Sequence, residues 1–250
     1  MSEWQRPHEQ EIDSFLAYMN EATDSFVLKG GTALYKCYGL DRFSEDIDFD
    51  SADANLRLGD FLPGYCGQRA YAYRVAKDTA TTERYLVRYG AESRPLKIEA
   101  SYRRSQIDEH ERHKIGGISV YTIEALCILK ALAYSGRDKI RDVYDLSFIC
   151  ANYHAQLSPQ AIAVVRSAVA QKGFEHFDYV LASQKDELID EARFTSNFLD
   201  MYDRLGLLKE SDYERHLETV EGYKSAIEGK RNGLARQHGL EEKFSPCTRG

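Results

Sequence analysis

The apolar and polar positions divide the chain into two unlike halves. From His8 to Glu21, apolar residues fall at Ile12, Phe15, Leu16 and Met19, the spacing of one helical face. Phe26-Val27-Leu28 is a short apolar run of the kind a buried strand shows. Gly30-Gly31 breaks it, and residues 32–38 read as a helix that Gly39 ends. Asp46-Ile47-Asp48-Phe49-Asp50 alternates polar with apolar, as a half-buried strand does. Residues 56–68 read as a helix interrupted near Pro63. Strands are expected at 71–77, 83–89 and 96–100, with a loop over 90–95. Asp108 to Lys114 is charged and lacks periodicity, and Gly116-Gly117 punctuates it, so the change of architecture is placed there. Everything beyond reads helical: 123–134, 139–149, 159–170, a stretch around 187–204, and 212–227, before a polar tail from Gly229 expected to be loose. The pattern predicts an α+β chain, with a mixed sheet and flanking helices over 1–116 and an α-helical domain over 117–250.

Composition adds exclusions. The 250 residues are 43% hydrophobic and 29% charged, an ordinary globular balance that supports a core without disulfides or a structural metal. The five cysteines (37, 66, 127, 150, 247) are scattered and form no CxxC pair, so they read as free thiols in a reducing cytoplasm. There is no HExxH, and no window approaches the ~18 apolar residues of a membrane span. The segment Met1–Arg6 lacks the profile of a secretory signal, which makes a cytoplasmic location the expectation and a membrane partner unexpected.

A net charge of −7 argues against indiscriminate binding of nucleic acid by the whole chain. The charge is uneven, however. Residues 69–104 carry nine basic and four acidic side chains, a net +5, interleaved with Tyr71, Tyr73, Tyr85, Tyr89 and Tyr102. Two readings of this stretch stay open: a solvated sheet face, or a surface for a polyanion.

The chemistry concentrates in residues 29–49. A glycine pair between strand and helix aims amide N–H groups at a helix N-terminus, a place suited to phosphate, and Thr32 adds a hydroxyl there. Asp46 and Asp48 lie two apart on a strand and project to one face, where their carboxylates repel unless a cation lies between them. Hard oxygen ligands of this kind suit Mg²⁺ carried by nucleotide phosphates.

The ordered combination, a strand, Gly-Gly-Thr, a helix and then Arg-x-Ser-x-Asp-x-Asp, resembles the polymerase-β-like nucleotidyltransferases. The string from Gly30 to Phe49 is similar to the AbiEii/AbiGii branch, the toxins of abortive-infection and MenT-type toxin–antitoxin pairs. Further matches follow in order. Lys97-Ile98-Glu99 resembles the strand supplying a third carboxylate, residues 122–132 the helix bearing a nucleotide-phosphate lysine, and residues 137–146 the final basic-then-Asp-x-x-Asp-Leu motif. The resemblance covers roughly residues 25–150. The chain departs from it in the thirteen residues between Thr32 and Asp46 and in having glutamate as the third carboxylate; residues 151–250 match no motif.

The resemblance implies that Asp46, Asp48, Glu99 and Lys130 are catalytic, with Asp46, Asp48 and Glu99 holding two Mg²⁺ ions, Mn²⁺ being the alternative. It places Gly30, Gly31, Thr32, Ser44, Lys130, Arg137, Asp142 and Asp145 around a nucleoside triphosphate. The implied partners are a cognate antitoxin and an RNA acceptor, a tRNA 3′ end whose extension blocks translation, with the helical domain completing the site and choosing the substrate. Two other readings stand beside this one: AMP transfer to a protein hydroxyl, such as one on the antitoxin, and a non-catalytic partner-binding module. Several residues also have plainer explanations. Glu99 pairs with Lys97 or Arg103, Lys130 is a solvated helix residue, Ser44 braces the aspartate strand, Arg42 fixes its loop, Arg141 pairs with Asp145, and Asp50 is solvated.

Overall fold

Short apolar runs flanked by glycine and charge form the strands, and in this computed structural model they assemble into one mixed sheet. The structure describes residues 2–208 apart from 54, 92 and 105. The helix expected over 212–227, the tail from Gly229 and Cys247 lie outside the described residues. The strands are β1 (Phe26–Lys29), β2 (Asp46–Ser51), β3 (Ala72–Thr79), β4 (Thr82–Arg88), β5 (Leu96–Ser101), β6 (Arg112–Ile115) and β7 (Ile118–Tyr121), in the spatial order β3-β4-β5-β2-β1-β7-β6. β2 runs parallel to β5 and antiparallel to β1, while β1 runs parallel to β7.

Alternation decides what each face of the sheet carries. Leu28, Ile47, Phe49, Ile98 and Ala100 point to one side and are fully or almost fully buried. There, α1 (Gln5–Ala22) buries Ile12, Phe15, Leu16 and Met19, as its periodicity predicts. The Phe15 ring meets Tyr65 of α3 (Leu62–Arg69) edge-on at 4.9 Å. The opposite face carries Lys29, Asp46, Asp48, Asp50, Lys97 and Glu99 at its centre. α2 (Gly30–Tyr38) leaves β1 directly and ends at Gly39, whose φ of +70° makes it a left-handed cap.

The sheet continues to Tyr121, beyond the change of architecture read at Gly116-Gly117. That pair is the turn of a hairpin. Gly116 and Gly117 have φ +57° and +87°, both in the left-handed region that a two-residue hairpin turn demands. β6 was illegible because Arg112-His113-Lys114 forms a sheet edge and shows no alternation of apolar with polar. Helices follow: α4 (Ile123–Gly136), α5 (Ile140–Tyr153), α6 (Pro159–Lys172), α7 (Glu175–Ser183) and α8 (Glu191–Arg204). The expected stretch around 187–204 is α8 alone. α7 was missed, although its buried Phe177 stacks on Phe198 of α8 with centroids 4.0 Å apart. Residues 1–207 form one compact unit. Among the described residues no helix is long and apolar enough to cross a membrane.

Candidate active site

The turn from β1 into α2 needs both its glycines, for different reasons. Gly30 has φ +76°, where an L side chain is strained, and a Cβ there would lie 3.2 Å from Asp48 Oδ2. Gly31 has no such backbone demand, but a Cβ would lie 2.7 Å from Arg42 Nη2 and 2.8 Å from Ser44 Oγ. Gly31→Ala is therefore expected to cost about 1–3 kcal/mol through overpacking. Urea denaturation measures this, and a loss under about 0.5 kcal/mol, the range of a neutral surface change, would show that Arg42 yields freely. Lys29, the residue before α2, has extended backbone and gives its first turn no side-chain cap, so the amides there suit an anion. Thr32 and Ser44 are buried. The Thr32 hydroxyl donates to the Asp46 carbonyl and shares a 2.9 Å hydrogen bond with Ser44 Oγ. Both hydroxyls thus brace the aspartate strand.

Register brings the three expected carboxylates to one face. Asp48 stands opposite Glu99 on the parallel neighbour β5, and Asp46 stands opposite Lys97. Strands lie ~4.8 Å apart, so the carboxylates form a short row. Burial pushes the Asp48 carboxyl above the usual carboxylate range; Asp46 and Glu99 push it the same way, against the pull of Lys97 and Lys29. Asp46 Oδ2 accepts from Lys97 Nζ at 2.5 Å and Glu99 Oε2 from Arg84 Nε at 2.6 Å. Of the two partners proposed for Glu99, Lys97 and Arg103, neither is the one found. Asp50, read as solvated, is buried, bonded to Lys29 and to the Tyr121 hydroxyl.

The donor set suits a hard divalent cation, since a like-charged row with a raised central carboxyl is relieved by positive charge. Among the described residues, however, no three His, Cys, Asp or Glu side chains are gathered as a ligand cage. Lys97 and Arg84 neutralise the outer two carboxylates instead.

The helices contribute a second charged cluster. Thr122 caps α4 by accepting the Ala125 N–H, which sets Lys130 two turns into that helix. Lys130 Nζ lies 2.6 Å from Asp145 and 3.3 Å from Asp142. Arg137 makes a two-point contact with Asp142, at 2.6 and 3.0 Å. Asp142 is held below its usual range: its burial works the other way, but the Arg137 hydrogen bond and the Lys130 charge outweigh it. Asp145 is wholly buried and takes Arg42 Nε and Nη2 at 2.7 and 2.8 Å. The Arg141–Asp145 pair considered from helical spacing does not form. Arg141 instead reaches Asp186 and Glu45, at 2.5 and 3.1 Å.

Between the sheet and α4 lies a cleft of about 520 Å³, lined by Gly30, Gly31, Asp48, Lys130, Arg137 and Asp142 among others. These six are residues the sequence singled out, drawn from three separate motifs. Asp46 and Glu99 do not line the cleft; Glu99 lies beside Asp48 on β5, on the β4 side, and Asp46 lies two residues before Asp48 along β2. Lys29, Lys97 and Arg84, absent from the expected set, are the side chains that balance the carboxylates. Sheet parity was the signal that could have found Lys97, two residues before Glu99.

The family profile described as nucleotidyl transferase AbiEii toxin, type IV toxin–antitoxin system, matches residues 15–226. The chain belongs to the AbiEii family. It is accordingly a nucleotidyltransferase of the toxin–antitoxin class. Its structure is similar to JHP933 from Helicobacter pylori, with TM-score 0.70 and 26% identity over 90% of this chain and 99% of that one. A second H. pylori chain, described as a candidate nucleotidyltransferase, gives TM-score 0.68 and 28% identity over 83% and 95%. MenT4, a nucleotidyltransferase toxin of Mycobacterium tuberculosis, shares the fold at TM-score 0.51 and 18% identity over 89% and 93%. No curated protein sequence matches the chain.

Proposed function

We propose that this nucleotidyltransferase moves a nucleotide from a nucleoside triphosphate to an RNA 3′ end, that of a tRNA, and so blocks translation until its antitoxin intervenes. One observation supports this most: Asp48 sits where the cation-lined cleft meets an open, basic sheet face. The triphosphate occupies the cleft, with the uncapped start of α2 on its phosphates and the aliphatic side of α4 (Leu126, Leu129) against its base or ribose. Lys130, steadied by Asp142 and Asp145, presents a point charge to the phosphates. The acceptor hydroxyl bonds to the α-phosphorus, its proton passes to water, and the bond to the β-phosphate breaks to release pyrophosphate. Asp48, with Asp46 and Glu99 beside it, would hold the Mg²⁺ or Mn²⁺ ions whose chemistry here is to neutralise the phosphates and lower the pKa of the attacking hydroxyl.

The acceptor lies on the face shared by β3, β4 and β5. Register puts Arg74, Arg84 and Arg88 on the same side as Lys97 and Glu99. Arg84 is engaged with Glu99, so Arg74 and Arg88 are the better probes. They line a shallow hollow of about 300 Å³. Arg74→Glu/Arg88→Glu is expected to weaken RNA binding and to flatten the log–log salt dependence by roughly 1.4, two phosphates at about 0.7 each. An unchanged slope removes this face from the acceptor path.

The reading as a whole is tested with each labelled triphosphate in turn, total RNA and candidate proteins. Label at tRNA 3′ ends is the expected result. Label on the antitoxin or another protein would instead establish AMP transfer to a hydroxyl as the activity.

A further inference from the structure

Four cationic side chains line the cleft: Lys29, Arg103, Lys130 and Arg137. Three are already balanced, Lys29 by Asp50, Lys130 by Asp142 and Asp145, and Arg137 by Asp142. Arg103 is different. Its backbone N–H donates to Ser101 Oγ at 3.5 Å, but its guanidinium has no hydrogen bond or ion pair with any described residue. It is exposed, two residues past the end of β5, and lines the cleft.

A side chain with this placement contributes little to folding. A long, exposed arginine without a partner spends no interaction on the native state, and its removal leaves no buried charge behind. Its value lies in what enters the cleft. A paired cation has part of its field offset by its carboxylate, whereas an uncompensated guanidinium keeps its whole charge and offers a planar fork that takes two phosphate oxygens at once. The amides of α2 and Asp48 mark the reacting end of the cleft, and Arg103 stands on a different wall from Lys130 and Arg137. A polyphosphate between them meets positive charge on both sides.

We propose that Arg103 binds the terminal phosphates of the incoming nucleoside triphosphate and so distinguishes triphosphates from monophosphates. This rests on the nucleotidyl-transfer reading and adds a substrate-touching residue to it.

The test is calorimetric binding of a nucleoside triphosphate, its diphosphate, its monophosphate and inorganic tripolyphosphate to the full chain and to Arg103→Ala and Arg103→Lys. In Arg103→Ala, affinity for the triphosphate and for tripolyphosphate is expected to fall about tenfold or more, as for loss of a charged hydrogen bond. Affinity for the monophosphate should stay within about twofold and Tm within about 1 °C, as for a neutral surface change. Arg103→Lys, which keeps the charge without the fork, should fall between the two. In turnover with the labelled acceptor, KM for the triphosphate should rise more than kcat falls. Equal binding of triphosphate by parent and Arg103→Ala overturns the proposal and leaves the nucleotidyl-transfer reading intact. Equal losses for monophosphate and triphosphate, or a Tm several degrees lower, mark a structural role and overturn it too. A parent chain that binds no triphosphate and transfers no label defeats the transfer reading itself, and this assignment with it.

Discussion

Asp48→Asn is expected to reduce nucleotidyl transfer by about a thousandfold or more, some 4 kcal/mol of barrier, while leaving the fold at least as stable as the parent. The two effects have one cause. Asp48 is the central member of the carboxylate row, standing in register with Glu99 and projecting to the same face as Asp46. Burial and both neighbours oppose its ionisation, and only Lys97 and Lys29 support it. Its negative charge is costly to the resting fold, and under the proposed function it serves the chemistry. An isosteric amide removes the repulsion together with the donor. The linkage follows in sign. A carboxyl whose folded pKa is raised makes the folded state bind the proton more readily than the unfolded chain, so its contribution to stability declines as pH rises through that raised pKa. Asp48→Asn should flatten this part of the pH dependence of stability in the metal-free chain. Thermal melts across pH and a label-transfer assay measure the two effects. Transfer within tenfold of the parent, or a fold clearly less stable at neutral pH, would show that Asp48 is structural.

Asp145→Ala has the opposite character: a large loss of stability from a wholly buried residue. The Asp145 carboxylate is wholly buried and receives both Arg42 nitrogens and Lys130, while Arg42 itself is only 3% exposed. Removing one partner of a buried pair strands the other, at a cost of about 3–5 kcal/mol. For a chain of this size that corresponds to roughly 6–20 °C in Tm. Arg42→Met/Asp145→Leu, which removes both charges and keeps the volume, should recover most of the loss, because well-packed apolar replacements of buried pairs are often neutral. Chemical denaturation of the three variants measures this. A loss below about 1 kcal/mol in Asp145→Ala would mean that water or a neighbouring group replaces the carboxylate. Transfer activity is expected to fall even where the variant is folded, since Asp145 steadies Lys130, and Arg42 packs against Gly31. The resemblance places Asp145 near the nucleotide; we propose that it acts there as a positioning residue.

How far the site was legible depends on whether the signal was local. Gly30-Gly31 followed by Asp-x-Asp is a compact run in which strand parity alone puts two carboxylates on one face, and the predicted strand and helix both form. Glu99 was found through the resemblance of Lys97-Ile98-Glu99 to the family's third-carboxylate strand, and the parallel pairing of β5 with β2 brings it beside Asp48. Arg103 carried the same parity, four residues beyond Glu99, but lay past the strand end where alternation ceases to constrain a side chain. Lys97 and Arg84 were visible as charges within residues 69–104, yet pairing them with Asp46 and Glu99 required the register of three strands at once. The hairpin at Gly116-Gly117 was misread because β6 is an edge strand, whose exposed charged residues obey no apolar period.

The sequence by itself determined the local chemistry of this protein: most of the strands and helices, which residue types meet at the β1–α2 turn, and which family that order of motifs resembles. The first two follow from periodicity and backbone freedom over a few residues, the third from the resemblance of the motifs. Only the tertiary structure decided the partners. Asp145 takes Arg42 in place of Arg141, Asp50 is buried against Lys29 and Tyr121, Thr32 and Ser44 brace a strand, and Arg103 remains uncompensated among the described residues. Charge pairing is long-range in sequence and short-range in space, so it is set by how strands and helices lie against one another and leaves no periodic trace along the chain.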